Sequence, residues 1–320
     1  VDEAAYVKAG WLSAVAQGTT SSPLVSPVEA VNLLATMIGG YNVGALIELL
    51  GSADATIAEA AATGLSRTLL VYDAYNDVLE LAASNPYAKR VIDSWAGAEW
   101  FTAKPELPAE ITVTVFKVEG ETNTDDLSPA THATTRPDIP LHATAMLETR
   151  MPGGLELIAE LKTKGHPVAY VGDVVGTGSS RKSAINSVLW HTGTDIPHVP
   201  NKRSGGVVLG GKIAPIFFNT AEDSGALPIE CDVSALNSGD VITIRPYAGT
   251  IERAAGEAAG EVVARFELKP STITDEVRAG GRIPLLIGRS LTDKVRAQLG
   301  LPASDLFIRP LAPADTGKGF

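Results

Sequence analysis

Cysteine is nearly absent from this sequence, since Cys231 is the single one among 320 residues. A disulfide framework within the chain is therefore excluded, which favours a reducing compartment. No basic–apolar–small signal peptide opens the sequence, and its apolar runs fall short of the roughly 18 residues that a membrane span needs. We therefore expect a cytoplasmic protein without a membrane partner.

Positive charge is also in deficit, with 26 Lys and Arg against 37 Asp and Glu, for a net charge of −11. Such a surface argues against nonspecific affinity for nucleic acid or anionic membranes. The five histidines have no tight metal-ligand spacing, so no metal site is predicted. The hydrophobic content of 45% suffices for a sizeable core and about two domains.

The segment 1–104 is rich in alanine and has apolar residues at helical spacing. Asp2 and Asp54 are placed to cap helices, and Asn85-Pro86 begins another. Ser26-Pro27-Val28-Glu29 has the form of a capping box with proline at the first helical position. Short helices joined by short turns predict an all-α domain of stacked helix pairs, an irregular solenoid.

The pattern changes at KPELPAEITVTVFKV, residues 104–118, where two prolines precede a strand-like alternation. From there strands and helices alternate, which predicts an α/β domain over 105–272. The segment 273–320 is predicted to hold C-terminal helices and a linker. One helix is expected to begin at Ser290–Asp293 and to end at Gly300, and the tail LAPADTGKGF is expected to be a loop.

The stretch GDVVGTGSSRKSA, residues 172–184, leads from a predicted strand into a helix expected to begin near Ser180. Two glycines permit a tight turn, and the first N–H groups of a helix, two serine hydroxyls and Arg181 together suit a carboxylate. The Rossmann pattern lacks its third glycine, and the Walker pattern has arginine where glycine must stand. Nucleotide binding is therefore disfavoured.

A second polar stretch, GETNTDDLSPATHATTRPDIPLHA, spans residues 120–143 and follows the first strand of the mixed domain. Taken alone it could be a solvated loop. Both stretches, however, leave strand ends of an α/β domain, which is where ligands usually bind.

These motifs resemble the aconitase family. The resemblance rests on GDVVGTGSSRKSA, on VFKVEGETNTDDLSPA and TRPDIPLHA, and on two longer stretches, DIPHVPNKRSGGVVLGGKIAPIFFNTAEDSGALPIE and DEVRAGGRIPLLIGRSLT. It covers nearly the whole chain and is nearest to a bacterial branch of the family. It implies a HEAT-like helical solenoid over 1–104 followed by an α/β swivel domain.

The resemblance also implies roles in the isomerisation of citrate and isocitrate through cis-aconitate. Ser179 matches the general base of the family, and Asp125 matches an active-site aspartate. Ser180, Arg181 and Arg136 match residues that bind substrate carboxylates. Lys182-Ser183 stands where other members of the family have Glu-His, and we attach no loss of function to this difference.

The family's reaction uses a [4Fe-4S] cluster on three cysteines, which this chain cannot supply alone. The chain is therefore expected to be the amino-terminal part of an aconitate hydratase that acts in the tricarboxylic acid cycle, inactive without the remaining domains. 2-Methylisocitrate remains open as a substrate. The small subunit of an isopropylmalate dehydratase is a further alternative, although that subunit lacks a helical domain ahead of its swivel.

A different alternative is a binding module. The resemblance implies that the helical domain mediates a homodimer, and that the cluster-free protein binds messenger RNA. The acidic composition gives the RNA role no independent support.

Overall fold

The computed structural model describes residues 3–37, 39–69, 71, 74–254, 256 and 258–309. Its contacts divide the chain into two compact units. The first comprises residues 1–104 and 286–307, and the second comprises 105–285 and 308–320. The predicted C-terminal segment 273–320 is thus shared between the two units. The predicted terminal loop LAPADTGKGF lies almost wholly outside the described residues.

The first unit is helical, as predicted. Its helices up to residue 104 are α1 (Glu3–Ala16), α2 (Pro27–Ala35), α3 (Val43–Leu49), α4 (Ala55–Ser66), α5 (Ala74–Leu81), α6 (Pro86–Ala96) and α7 (Glu99–Thr102). Three of the predicted caps are present: Ser26, Asp54 and Asn85 each accept a hydrogen bond from a backbone N–H of the following helix. These bonds satisfy N–H groups that have no partner within the helix. The solenoid and its HEAT-like character stay predictions.

One apolar core joins the helices of this unit. Leu12, Leu34 and Leu65 are at most 1% exposed, and Trp95 is fully buried. By contrast, Trp11 on α1 is 42% exposed. The alanines of this unit allow the helices to pack closely, and Gly64 of α4 would clash with Ala35 of α2 if it carried a Cβ.

The second unit is a mixed α/β domain, as predicted. Up to residue 265 its elements are β1 (Ile111–Asn123), α8 (Thr124–Leu127), a 3₁₀ turn (Ala130–Thr135), α9 (Ile139–Ala143), α10 (Gly154–Lys162), β2 (Val168–Thr177), α11 (Lys182–Thr192), β3 (Thr194–Ile196), β4 (Val199–Ser204), β5 (Val207–Ile213), α12 (Pro215–Asp223), β6 (Leu227–Glu230), β7 (Val241–Arg245), β8 (Thr250–Arg253) and β9 (Val262–Arg265).

The main sheet has the strand order β6-β5-β2-β1-β7-β8-β9. The pairs β1–β2, β2–β5 and β5–β6 are parallel, and the remaining pairs are antiparallel. Along β2, Tyr170 faces one apolar core and Ala169 and Val171 face the other. The sheet is therefore buried on both faces, which explains the nearly continuous apolar run of β2. The β3–β4 hairpin forms a separate two-stranded sheet that sequence reasoning missed.

The last helices are α13 (Ile273–Ala279) and α14 (Arg282–Gln298). The expected helix start at Ser290–Asp293 is wrong, because α14 begins eight residues earlier, at Arg282. Within the described ranges, no helix combines the length and the apolar character needed to cross a membrane.

Candidate functional site

Two neighbouring parallel strands deliver both predicted site loops to one edge of the sheet. In the register of β1 and β2, Asn123 pairs with Thr177. Each of these residues is the last of its strand. The loop that begins at Thr124 and the turn that begins at Gly178 therefore leave the sheet side by side. Open α/β sheets bind ligands beyond the carboxyl ends of their strands. The structure thus brings together two stretches that the sequence placed only at strand ends.

The turn after β2 depends on its glycines. Gly176 and Gly178 have φ of 78° and 90°, a region that favours glycine. A Cβ on Gly176 would also lie 2.2 Å from the ring of Phe217, so this glycine is required by packing as well. The turn exposes both Ser179 and Ser180. Neither hydroxyl has a hydrogen-bond partner in the described part of the chain, so both are free for a ligand.

Helix α11 begins at Lys182 rather than near Ser180, and Arg181 occupies the N-cap position. The side chain of Arg181 does not cap the helix. Backbone N–H groups of the first helical turn, which have no partner within a helix, therefore open next to the serines. This arrangement suits an anion.

Arg181 joins the two loops. Its Nη1 donates a hydrogen bond to Oδ1 of Asp125 and another, of 3.2 Å, to the carbonyl oxygen of Ser128. The bond from Arg181 is the main cause that holds the pKa of the Asp125 carboxyl below its usual value, and the charge of Arg136 contributes a smaller part. The Asp125 side chain is 57% exposed and that of Arg181 is 18% exposed.

The position of Asp125 follows from a capping box at the end of β1. The side chain of Asn123 accepts hydrogen bonds from the N–H groups of Asp125 and Asp126, and Asp126 in turn accepts from the N–H of Asn123. This reciprocal pair fixes the entry into α8. Asp125 is thereby presented to Arg181, whereas Asp126 is occupied in the cap.

Arg136 is half-buried, after the 3₁₀ turn. Its Nε is buried without a hydrogen-bond partner within the described residues. Its charge lowers the pKa of His142 and makes a small contribution to the lowered pKa of Asp125. A buried, unsatisfied N–H group is costly, and a bound carboxylate would relieve that cost.

Sequence reasoning missed a partly buried set of polar residues behind the site. Ser128, Thr135, His142 and Ser183 form a continuous run of side-chain hydrogen bonds. Ser128, Thr135 and His142 lie within the stretch 120–143 and Ser183 within 172–184, but their spacing in the sequence does not indicate that they bond to one another.

Two features close to the site are poorly suited to bind a carboxylate. A cavity of about 360 Å³ adjoins Asp125, but Asp126 and Glu148 also line it, so it would repel a carboxylate. The basic cluster at Asn201-Lys202-Arg203 is also partly occupied, because Arg203 is bonded to Asp195 and lies over the Trp190 ring. The candidate anion site is therefore the side that carries the serines and arginines.

Within the described residues, no group of three or more His, Cys, Asp or Glu side chains is placed to hold a metal ion. Cys231 is buried, and burial raises the pKa of its thiol to about 12. A thiol with such a pKa is a poor metal ligand, because thiolate is the form that coordinates. The described residues do not fit an iron–sulfur cluster.

Comparison with protein families gives two matches that together cover most of the chain. The family described as "Aconitate hydratase 2 N-terminus" matches residues 113–320. The family described as "Aconitate B N-terminal domain" matches residues 1–101. The boundary between them falls at the change from helices to the sheet domain.

Curated relatives named aconitate hydratase B match the whole chain. The protein of Synechocystis is 74% identical over 320 residues, that of Pseudomonas aeruginosa 61% over 331 and that of Escherichia coli 59% over 331. A solved 3-isopropylmalate dehydratase (leuD) from Methanocaldococcus jannaschii is similar at 20% identity and a TM-score of 0.42, covering 60% of this chain and 99% of that one. This chain spans 36% to 38% of the length of those three curated relatives. It belongs to the aconitate hydratase B family, of which it represents the N-terminal part.

Proposed function

We propose that this chain supplies the carboxylate-binding residues and the serine base for the isomerisation of citrate and isocitrate through cis-aconitate. The observation that carries the proposal is the Arg181–Asp125 contact, which brings the two family motifs together at one sheet edge. The larger protein that contains the chain is, in this proposal, a cytoplasmic aconitate hydratase of the tricarboxylic acid cycle.

Arg181 and Arg136 bind carboxylates of the substrate, and Ser180 adds a neutral donor. Guanidinium groups match carboxylates with two parallel N–H donors. Removal of a proton from the carbon beside a carboxylate builds negative charge on that carboxylate. Cations and helix N–H groups that are already in place stabilise this charge as it develops.

Ser179 takes that proton as the general base. A serine hydroxyl is a very weak base, and it serves only where its alkoxide is stabilised by nearby cations and N–H donors. The exposed position of Ser179, beside Arg181 and before α11, supports this role. Asp125 holds Arg181 in place and belongs to the catalytic set.

The [4Fe-4S] cluster is carried, in this proposal, by the part of the protein outside these 320 residues, because the described residues do not fit it. It would supply a Lewis acid for the departing hydroxyl. The chain by itself is accordingly proposed to bind substrate without turnover. 2-Methylisocitrate stays a candidate substrate, since one extra methyl group changes binding only modestly.

The alternative of a binding module has one supporting observation. Tyr6, Val7 and Trp11 on α1 are 58%, 66% and 42% exposed. Exposed apolar residues on one helix favour a protein contact, such as a homodimer, over messenger RNA, which requires basic residues.

Calorimetric titration with tricarballylate, a non-reacting tricarboxylate, tests the proposal on the full chain. We expect Arg181→Ala to weaken binding roughly 10- to 100-fold, the usual cost of losing a hydrogen bond between charged groups. Arg253→Ala is the matched control, because this arginine is bonded to Asp240 in the same unit and lies on β8. Equal affinities of the two variants would refute the carboxylate site at Arg181.

A further inference from the structure

The hydrogen bonds behind the site have a direction that their chemistry fixes. Thr135 Oγ1 donates its single proton to the carbonyl oxygen of His132, at 2.8 Å. It can therefore only accept in its other bond, of 2.8 Å, with Nδ1 of His142. Nδ1 of His142 must carry the proton.

The other nitrogen of the ring continues the chain of bonds. Burial is the main cause that lowers the pKa of His142, and the charges of Arg136 and His132 lower it further, so the ring is neutral near pH 7. A neutral imidazole with a proton on Nδ1 is an acceptor at Nε2. Ser128 Oγ, at 2.7 Å from Nε2, must then be the donor.

The last bond is fixed by elimination. The single proton of the Ser128 hydroxyl is used on His142, so Ser128 accepts in its 2.7 Å bond with Ser183 Oγ. Ser183 is the second residue of α11, two positions after Arg181. The bonds therefore run in one direction, from Ser183 through Ser128 and His142 to Thr135.

This run of hydrogen bonds passes beside both arginines of the site. Thr135 directly precedes Arg136, and Ser128 both accepts from Ser183 with its hydroxyl and accepts from Arg181 with its carbonyl oxygen. His142 is 2% exposed and Ser128 is fully buried, so water does not compete for the bond between them.

We infer that His142 is the positioning residue of this site, because its ring ties Thr135, which precedes Arg136, to Ser128. Ser128 in turn contacts Ser183 and Arg181 of the neighbouring turn. The inference rests on the proposed function for its catalytic meaning. It also assigns a role to Ser183, whose hydroxyl donates the first hydrogen bond of the run, to Ser128 Oγ. Ser183 consequently does not donate to substrate, in contrast to Ser179 and Ser180.

The tautomer of His142 provides a test that does not involve substrate. The full chain is labelled with ¹⁵N-histidine, and the signal of His142 is assigned by its loss in His142→Gln. At pH 7 we expect a protonated Nδ1 and an unprotonated Nε2, the reverse of the tautomer that a free histidine side chain prefers. A proton on Nε2, or exchange between both tautomers, would overturn the inference.

Positioning is tested in the longer protein that contains this chain, with citrate as substrate. Ser183→Ala is expected to raise KM roughly five- to ten-fold, the effect of about one lost hydrogen bond, and to change kcat less. Ser183→Thr retains the hydroxyl and should restore KM. The matched control is Ser187→Ala, one turn along α11, whose hydroxyl donates to the carbonyl oxygen of Ser183.

If Ser183 had a merely structural role, the two alanine substitutions would change KM and hydrogen exchange by similar amounts. We expect Ser183→Ala and Ser187→Ala to have similar thermal midpoints but different KM values, and hydrogen exchange to be faster in residues 131–142 only for Ser183→Ala. Equal KM and equal exchange would overturn the inference. A wild-type protein without activity on citrate would instead refute the proposed function, while the tautomer and the exchange rates would still decide the positioning role.

Discussion

Arg181 donates a hydrogen bond from Nη1 to Oδ1 of Asp125. The guanidinium that is proposed to bind a substrate carboxylate is thus already engaged by a carboxylate of the chain. The substrate must share or displace this bond. Because the Asp125 side chain is 57% exposed, the pair contributes at most about 1 kcal/mol to stability.

Asp125→Asn should therefore have opposite effects on binding and on turnover. Removal of the competing charge is expected to tighten tricarballylate binding to the full chain several-fold, because Arg181 is then free for the ligand. Turnover by the longer protein should fall, because Arg181 loses the partner that holds it. Calorimetry and a steady-state assay measure the two effects, and weaker binding by the variant would contradict this prediction.

Gly176→Ala should destabilise the α/β unit by about 2 kcal/mol or more, through a positive φ and a clash with the Phe217 ring. Gly165→Ala is the matched control, because Gly165 also has a positive φ of 83° but no atom within 4 Å of the added Cβ. Urea unfolding of both variants separates the clash from the backbone strain. Equal losses would show that Phe217 moves aside.

The paired loops of the site could be predicted from the sequence, because each motif follows a strand-like run and parallel strands end at one edge. The order of those strands could not. It is the adjacency of β1 and β2, with Asn123 opposite Thr177, that places Asp125 against Arg181. His142 gave no signal, because its bonds to Ser128 and Thr135, 14 and 7 residues away, form only when the stretch 120–143 folds back on itself.

The start of α14 shows why local signals fail. The expected start rested on Ser290–Asp293 as a cap, whereas α14 already contains Pro284 and Gly288 ahead of these residues. Proline is tolerated in the first turn of a helix, however, and Gly288 is required within the helix by the packing of a neighbouring side chain. A Cβ on Gly288 would lie 2.4 Å from the ring of Trp100. The same ring donates from Nε1 to Thr292 Oγ1, one turn further along α14, at 3.0 Å.

Gly288→Ala should therefore destabilise the helical unit, although alanine favours a helix over glycine by roughly 1 kcal/mol. We expect a net loss of about 1–3 kcal/mol, because Trp100 is 3% exposed and cannot move without breaking its bond to Thr292. Gly10→Ala in α1, where an added Cβ meets no atom within 4 Å, should instead stabilise slightly. Thermal unfolding compares the two, and a gain in both would show that the Trp100 contact is loose.

Two glutamates of the second unit, Glu222 and Glu276, are each only 3% exposed. Burial, and next the charge of Glu276, raises the pKa of Glu222 to about 7. Arg282 lies nearby, with its Nη1 3.7 Å from Oε2 of Glu222, but its Nε is bonded to Asp223 at 2.9 Å. Glu222 is accordingly protonated in the folded chain at a pH where it is ionised in the unfolded chain.

The raised pKa fixes the sign of a pH effect. The contribution of Glu222 to stability is fully present below its unfolded value, near 4.5, and is lost as the pH rises through about 7. Glu222→Gln mimics the protonated form, so it should match the wild type at pH 4.5 and exceed it at pH 8 by roughly 1–3 kcal/mol. Glu261→Gln, at a side chain that is 61% exposed, is the control and should show no such difference. Urea unfolding at both pH values measures it, and a wild type that is as stable as Glu222→Gln at pH 8 would mean that Glu222 ionises in the folded chain without cost.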